Sequence, residues 1–485
     1  MKKRRIITRL DVKGPNVVKG IQFEGLRIMG SPAEIARKAY AQGADELIYI
    51  DVVASLYERN SLLEVIEEAS SLGIAIPMTV GGGIRKLDDI TNILRAGADK
   101  VAINTAATRN PSFITAAAER FGRQCIVGSL QAKKQRDGTW EAYVDNGRER
   151  TGLDAIAWAS KLVALGCGEL FVTSIDQDGT KKGFDTDLIA QIVKNVSVPV
   201  IACGGAGSEN DIHQCFDHTK CDGVAFATLL HYDLTTIDTV KQAASDNGVL
   251  IRHSAPIEQN DAPAQLNNSD TDKKTVSIID YGLGNLKSVT LAFESLGNQV
   301  KIISTPGEII DAELLVLPGV GSFAEGIAGL HARDLVAPIR QYAKKGWPLL
   351  GICLGMQLLM SKSEEFGNHD GLNIISGAVK PFKLPTEVNL SQYRVPHVGW
   401  NTLCAPKNIT WNGSILEKSA ANTDVYFVHS FMVIPDDPNC TIANAQYGDQ
   451  TFAAVVQEKL TFGTQFHPEK SGPAGKQMLQ YFSQL

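Results

Sequence analysis

Nowhere in the 485 residues is there an uncharged apolar run of about 18 positions, the length a membrane-crossing helix needs, so no such helix is expected. The basic start Met1-Lys2-Lys3-Arg4-Arg5 is not expected to be a secretory leader, because it runs into Arg9, Asp11 and Lys13 instead of an apolar core. Basic excess is absent, the formal net charge being -6, which gives nucleic acid no electrostatic footing. Cysteine is sparse. The eight, at 125, 167, 203, 215, 221, 353, 404 and 440, include no Cys-x-x-Cys pair, which argues against a zinc site and against a disulfide framework in so long a chain. What remains is an expected cytoplasmic protein with small-molecule partners, no metal and no cofactor. Seven of the cysteines are expected to be inert and buried.

What is present is glycine, 44 residues of it, in a chain that is 44% apolar and 21% charged, a balance that favours an ordered α/β class with many tight turns. The length exceeds what one core supports. His253–Lys274 (HSAPIEQNDAPAQLNNSDTDKK) is almost free of large apolar residues and cannot bury enough surface to offset its ordering entropy. Residues 254–274 are therefore read as a linker between domains at 1–253 and 275–485.

Ahead of the linker, ELIYIDVV, SLLEVIEEASSLG, IPMTVGGGI, KLDDITNILRAGA and DKVAIN alternate strand and helix patterns, the mark of βαβ units and a parallel sheet. The region repeats itself roughly 120 residues on. Gly43-Ala44-Asp45-Glu46-Leu47 returns as Gly166-Cys167-Gly168-Glu169-Leu170, Pro77 with Gly82-Gly83 as Pro199 with Gly204-Gly205, and Asp99 with Val101-Ala102 as Asp222 with Val224-Ala225. Two such halves make a (β/α)8 TIM barrel. Beyond the linker, Thr275–Asp280, Glu313–Leu317 and Pro348–Cys353 read as buried strands running into glycine turns, an open α/β sheet with ligands at the strands' carboxyl ends.

Gly351-Ile352-Cys353-Leu354-Gly355-Met356-Gln357 sets a cysteine between glycines at a strand-to-helix junction, where a sharp turn exposes the side chain at a helix N-terminus that favours a thiolate. Alone, this reads better as a buried small residue beside a tight turn. The motif Gly463-Thr464-Gln465-Phe466-His467-Pro468-Glu469 decides the matter, because it supplies an imidazole and a carboxylate two residues apart, expected on one strand face. Cys353, His467 and Glu469 make a nucleophile, base and orienting acid that would form and hydrolyse an acyl thioester.

These motifs resemble class I glutamine amidotransferases. Asp280-Tyr281-Gly282-Leu283-Gly284-Asn285-Leu286, Leu317-Pro318-Gly319-Val320-Gly321-Ser322-Phe323, Val395-Pro396-His397-Val398-Gly399-Trp400-Asn401 and Tyr426-Phe427-Val428-His429-Ser430 narrow the likeness to the glutaminase subunit of imidazole glycerol phosphate synthases. The resemblance implies L-glutamine as substrate, an oxyanion-hole amide on a strand at Pro318–Gly321 (Gly319, Val320, Gly321), and Gln357 and Ser430 around the glutamine. Phe431 stands where that family commonly has tyrosine.

In the first domain, Gly81-Gly82-Gly83 with Asn104-Thr105, and Gly204-Gly205 with Thr228, form two glycine cradles related by the repeat, which suit a ligand with a phosphate at each end. This domain resembles the cyclase subunit of the same synthases, from Arg5 to about Arg252. The resemblance implies a bis-phosphorylated ribonucleotide substrate, Asp11 as one catalytic aspartate, and Lys19 on the following loop, with Thr173 also at the substrate. The second aspartate's place, in the repeat counterpart of Leu10-Asp11-Val12-Lys13, is taken by Gln131. Since an amide cannot shuttle protons at neutral pH, Asp178 is the candidate to share the load, and Asp51 is a further strand-end carboxylate. The resemblance also implies an ammonia gate of Arg5, Glu46, Lys100 and Glu169.

Fusion of the two halves makes a separate glutaminase subunit unnecessary. The leading expectation is a bifunctional imidazole glycerol phosphate synthase of histidine biosynthesis. Gln131 raises a second, an ammonia supplier for another acceptor such as a sugar amidated in surface-polysaccharide synthesis. A third is a barrel that only binds ligand and regulates the glutaminase.

Overall fold

A computed structural model of the chain describes residues 3–54, 62–253, 274–383, 393–407 and 409–485. The expected linker lies outside them apart from Lys274.

The first domain closes on itself. Parallel strands Arg5–Lys13, Glu46–Asp51, Met78–Gly81, Lys100–Ile103, Ile126–Lys134, Glu169–Ser174, Val200–Cys203 and Gly223–Phe226 pair in that order, and the last pairs back onto the first with Arg5 opposite Gly223. Helices lie around this barrel. Side chains alternate across each strand: Ile6 and Leu10 face outward into the packing with the helices. Ile7 faces the lumen with Ile48, Val127, Phe171, Ile201 and Ala225. Arg5, Arg9 and Asp11 share Ile7's parity. After the first strand the chain forms a hairpin, Asn16–Ile21 with Glu24–Gly30, so Lys19 lies on a strand that folds over the mouth rather than on a loop.

The second domain is built on an open mixed sheet in the order Val300–Ile303, Val276–Ile279, Leu314–Leu317, Leu349–Ile352, Thr461–Thr464, Gln450–Glu458, Thr441–Tyr447. The first five strands are parallel and the last two antiparallel. Such a sheet gathers its functional loops at the carboxyl ends of the parallel strands. The segment Pro318–Gly321 was expected to be a strand, but the strand stops at Leu317 because glycines at 319 and 321 give way to a turn packed under Leu354.

The second domain sits on the end of the barrel where its strands begin. Buried Lys470 reaches Asp99 at 3.0 Å, Asn285 Nδ2 donates to Gly97 O at 3.0 Å and Asp99 Oδ1 at 3.1 Å, and Arg394 Nη1 meets Asp222 Oδ2 at 3.2 Å. The Trp400 indole donates to Asp45 O at 3.2 Å and stacks under Arg252. Every one of these charges is buried, so each pair loses its worth if one partner is removed and the other is left unpaired in the interface. Of the seven cysteines expected to be buried, Cys404 is exposed and Cys440 partly so, because both lie beyond the sheet core near strand ends.

Candidate functional site

Cys353 ends the strand Leu349–Ile352 and opens the helix Leu354–Leu358 with φ 51° and ψ -103°, a conformation a side chain adopts only under constraint. The constraint is visible. Its N–H donates to Thr464 O at 2.7 Å on the neighbouring strand, and a Cβ on Gly355 would lie 1.8 Å from Leu317 O, so only glycine lets the helix seat this closely. The turn leaves the sulfur at the carboxyl end of this interior strand, 3.7 Å from Gln465 Nε2 and 4.0 Å from Val428 O.

His467 and Glu469 were expected on one strand face. The strand ends at Thr464, and Pro468 forces a short 3-10 turn, Pro468–Lys470, that brings Glu469 back under the imidazole. His467 Nδ1 and Glu469 Oε1 are 2.7 Å apart and both side chains are buried. Burial alone would hold the imidazole neutral, but Glu469 and then Cys353 outweigh it and set the His467 pKa well above the ordinary range. Ser471 Oγ donates to His467 O at 2.6 Å and fixes the turn.

The pocket in front of Cys353 is lined by Val320, Gly321, Gln357, Glu365, Ser430 and His467 from this domain, and by Gln124 and Cys125 from the barrel. Gln357 donates to Phe431 O at 3.3 Å and to Gln465 Oε1 at 3.3 Å. Gln124 donates to Gly321 O at 3.2 Å and accepts from Ser430 Oγ at 3.3 Å, so a barrel residue braces both walls. Gly319 belongs to the same turn, where a Cβ would meet Leu354 at 2.5 Å. Burial pushes the Glu365 carboxyl up to about 7 despite a hydrogen bond from Phe323 N. Sequence reasoning missed Gln465, Gln124 and Glu365. Gln465 lay inside the His467 motif and could have been noticed; the other two carry no local pattern.

Behind this pocket, at the start of the barrel strands, Arg5, Glu46, Lys100 and Glu169 form a closed ring. Arg5 meets Glu46 at 2.8 Å and Glu169 at 2.5 Å, and Lys100 meets Glu46 at 2.9 Å and Glu169 at 2.6 Å, all four fully buried. Burial alone would raise the Glu46 pKa, but Arg5 and Lys100 bring it down to about 2. The Tyr426 hydroxyl, from the second domain, donates to Glu46 Oε1 at 3.0 Å.

At the opposite end of the lumen, Asp11 accepts from Arg9 Nε at 2.8 Å and lies 3.7 Å from Lys19, whose ammonium sits 2.9 Å from Asp178. Thr173 is 3.5 Å from Arg9 Nη1. Gln131 and Asp51 line a cleft with Gly82, Gly83, Asn104 and Thr105. Gly204, Gly205 and Thr228 lie across the mouth from that cleft, at the ends of the Val200–Cys203 and Gly223–Phe226 strands. The two cradles share their geometry, with φ 106° and 73° at Gly82 and Gly83 and 95° and 110° at Gly204 and Gly205. His231, half-buried within reach of Asp11, is pushed down to about 4 chiefly by desolvation. Neither it nor Arg9 was singled out from the sequence, although Arg9 is two residues from Asp11 and so must share its inward face.

Among the described residues no group of three or more His, Cys, Asp or Glu side chains is placed to hold a metal ion, and no helix is long and apolar enough to cross a membrane. Comparison with known proteins matches residues 5–236 to a family described as Histidine biosynthesis protein and residues 277–484 to one described as Glutamine amidotransferase class-I. The barrel half is 57% identical over 203 residues to the imidazole glycerol phosphate synthase subunit HisF of Legionella pneumophila, covering 95% of that protein and 42% of this chain. It is 48% identical over 249 residues to the subunit of the same name from Myxococcus xanthus, covering 98% of that protein and 51% of this chain. The Synechocystis subunit is 45% identical over 255 residues, with 97% of it and 52% of this chain covered.

Proposed function

The chain belongs to the imidazole glycerol phosphate synthase subunit HisF family, with a class-I glutamine amidotransferase domain fused behind its barrel, and from that premise we propose how its parts work together. It is an imidazole glycerol phosphate synthase-like enzyme of histidine biosynthesis, with glutamine as one substrate and an acceptor in the barrel. The two working units are residues 1–253 and 275–485, and the cytoplasm is where they operate.

Glutamine enters the Cys353 pocket between Gln357 and Ser430. His467 holds the proton of Cys353, the thiolate attacks the side-chain amide carbon, and backbone N–H groups of the Gly319–Gly321 turn receive the oxyanion. Donors of that kind are worth about 3 kcal/mol each in a dry site. The imidazolium gives its proton to the departing ammonia, leaving a γ-glutamyl thioester. His467 then takes a proton from water, whose oxygen displaces the sulfur and releases glutamate.

The observation that carries the rest is that barrel residues Gln124 and Cys125 wall the pocket, with the charged ring behind the same interface. Ammonia is released against the barrel, passes the ring of Arg5, Glu46, Lys100 and Glu169, and crosses the apolar lumen to the mouth. There it attacks a bis-phosphorylated ribonucleotide held at its ends by the two glycine cradles, with Lys19, Asn104, Thr105, Thr173 and Thr228 around it. Asp11 and Asp178 carry the proton transfers, and Gln131 contributes hydrogen bonds only. Products are imidazole glycerol phosphate and an aminoimidazole carboxamide ribotide. The relatives above all bear the synthase name, which leaves the sugar-amidating reading without support.

The test supplies the bis-phosphorylated ribonucleotide with either glutamine or ammonium salt. Both are expected to release the carboxamide ribotide; absence of turnover with ammonium salt would overturn the barrel's part in this reading.

A further inference from the structure

Arg9 has no place in the scheme above, yet it is 1% exposed inside the barrel at the level of the reacting groups. It lies four residues beyond Arg5 on the same inward face, about 13 Å further along the lumen. Between them lies the apolar segment of Ile7, Ile48, Val127, Phe171, Ile201 and Ala225. The guanidinium leaves its own strand and crosses the lumen. Nε donates to Asp11 at 2.8 Å, and Nη1 reaches Cys203 Sγ at 3.2 Å and Thr173 Oγ1 at 3.5 Å, on strands two and three places round the barrel. Its carbon centre is 5.6 Å from the Phe171 ring of the lumen and 5.6 Å from Phe23, in the hairpin turn that folds over the mouth. The lumen is thus ionic at its inlet, apolar along its length, and capped by one cation.

We propose that Arg9 is the outlet residue of the ammonia path: its guanidinium closes the apolar lumen at Asp11 and cancels the carboxylate charge that would otherwise hold ammonium there. This rests on the reading that ammonia crosses the barrel. The charges around the outlet are Asp11, Asp178, Lys19 and Arg9, with Cys203 and His231 facing them as neutral groups. With Arg9 the four balance. Without it the end of the lumen carries one net negative charge in a dry setting, and a carboxylate there favours NH4+ over NH3. Ammonium has no lone pair to attack an acceptor. Burial works against the guanidinium's charge, but the carboxylates of Asp11 and Asp178 more than offset it, so the cation persists at every pH of interest.

Arg9 is a positioning residue in this role, and it is tested by comparing the two ammonia sources. Arg9→Met and Arg9→Lys are assayed in the full-length protein with the bis-phosphorylated ribonucleotide, recording product formed per glutamine hydrolysed and the ammonium-driven rate between pH 7 and 9.5. For Arg9→Met, product per glutamine is expected to fall on the order of tenfold at pH 7, the effect of one pKa step, and to recover toward pH 9.5 as the ammonium held at the outlet deprotonates. Arg9→Lys is expected to keep most of the coupling. A merely structural role would lower the glutamine-driven and ammonium-driven rates in proportion and leave the coupling flat with pH, which would overturn the proposal. Arg5→Ala serves as the control: coupling lost there but intact in Arg9→Met sinks only the outlet role, whereas coupling intact in both sinks passage through the barrel.

Discussion

Tyr426 Oη donates to Glu46 Oε1 at 3.0 Å, so a hydroxyl of the glutaminase domain is part of the buried charge ring of the barrel. Glu46 in turn touches both Arg5 and Lys100. The strand that carries Tyr426 continues to Val428, whose carbonyl lies 4.0 Å from Cys353 Sγ, and ends at His429, one residue before Ser430 of the Cys353 pocket. One strand therefore connects the Cys353 pocket to the charged ring of the barrel.

Removing the ring's cations separates making ammonia from using it. In Lys100→Met the two glutamates lose one of their two shared partners and face each other across a dry space. Glutamine hydrolysis is expected to continue while glutamine-driven product formation falls about tenfold or more relative to the ammonium-driven rate. Parallel assays of glutamate and carboxamide ribotide read this directly, and equal losses by both routes would contradict a gate.

Cys353→Ser should abolish glutamine hydrolysis and leave ammonium-driven turnover intact, since the barrel mouth lies beyond the lumen from Cys353. Glu469→Gln should reduce hydrolysis by about 10²- to 10⁴-fold, because His467 loses its charge partner and its fixed tautomer. Its imidazole, now held up only by Cys353 against burial, should titrate lower, which histidine NMR shifts across a pH series would record.

Glu365 makes stability depend on pH in a definite direction. Burial raises its pKa from 4.5 to about 7, so the folded state binds the proton more tightly than the unfolded state. Its contribution is fully present below about pH 4.5 and is lost as pH rises through 7. Glu365→Gln keeps the side chain neutral throughout, and its unfolding free energy should exceed the parent's by about 3 kcal/mol at pH 8 while nearly matching it at pH 4.5. Denaturant titrations at the two pH values measure the difference.

Asp11 and Asp178 meet through Lys19, and Gln131, the repeat counterpart of Asp11, lines the cleft at the mouth without a carboxylate. Asp11→Asn and Asp178→Asn should each lower the ammonium-driven rate by on the order of 10²-fold while sparing glutamine hydrolysis. Gln131→Leu should cost less, since it removes hydrogen bonds only. An Asp178→Asn enzyme at full rate would return the proton transfers to Asp11 alone.

Much of this arrangement was legible before any coordinates. The half-repeat announced the barrel because each βα unit writes its strand, glycine turn and helix into contiguous residues. The nucleophile was legible for the same reason, its two glycines being demanded by a local turn. What escaped were contacts with no local signature. Gln124 braces Gly321 and Ser430 from another domain, and nothing in its neighbourhood of sequence says so. The strand predicted through His467 failed because one proline was weighed less than the period-two spacing. Arg9 was overlooked although parity with Asp11 placed it in the lumen; a buried arginine gains its meaning only from the carboxylates that meet it.

The claim on which all else depends is that ammonia passes from Cys353 to Asp11 inside the protein. Turnover with amide-15N glutamine in a large excess of unlabelled ammonium salt, at a pH where bulk NH3 is scarce, tests it by mass spectrometry of the imidazole product. Passage through the barrel predicts 15N in nearly every product molecule. A label diluted to the isotopic composition of the bulk would contradict it.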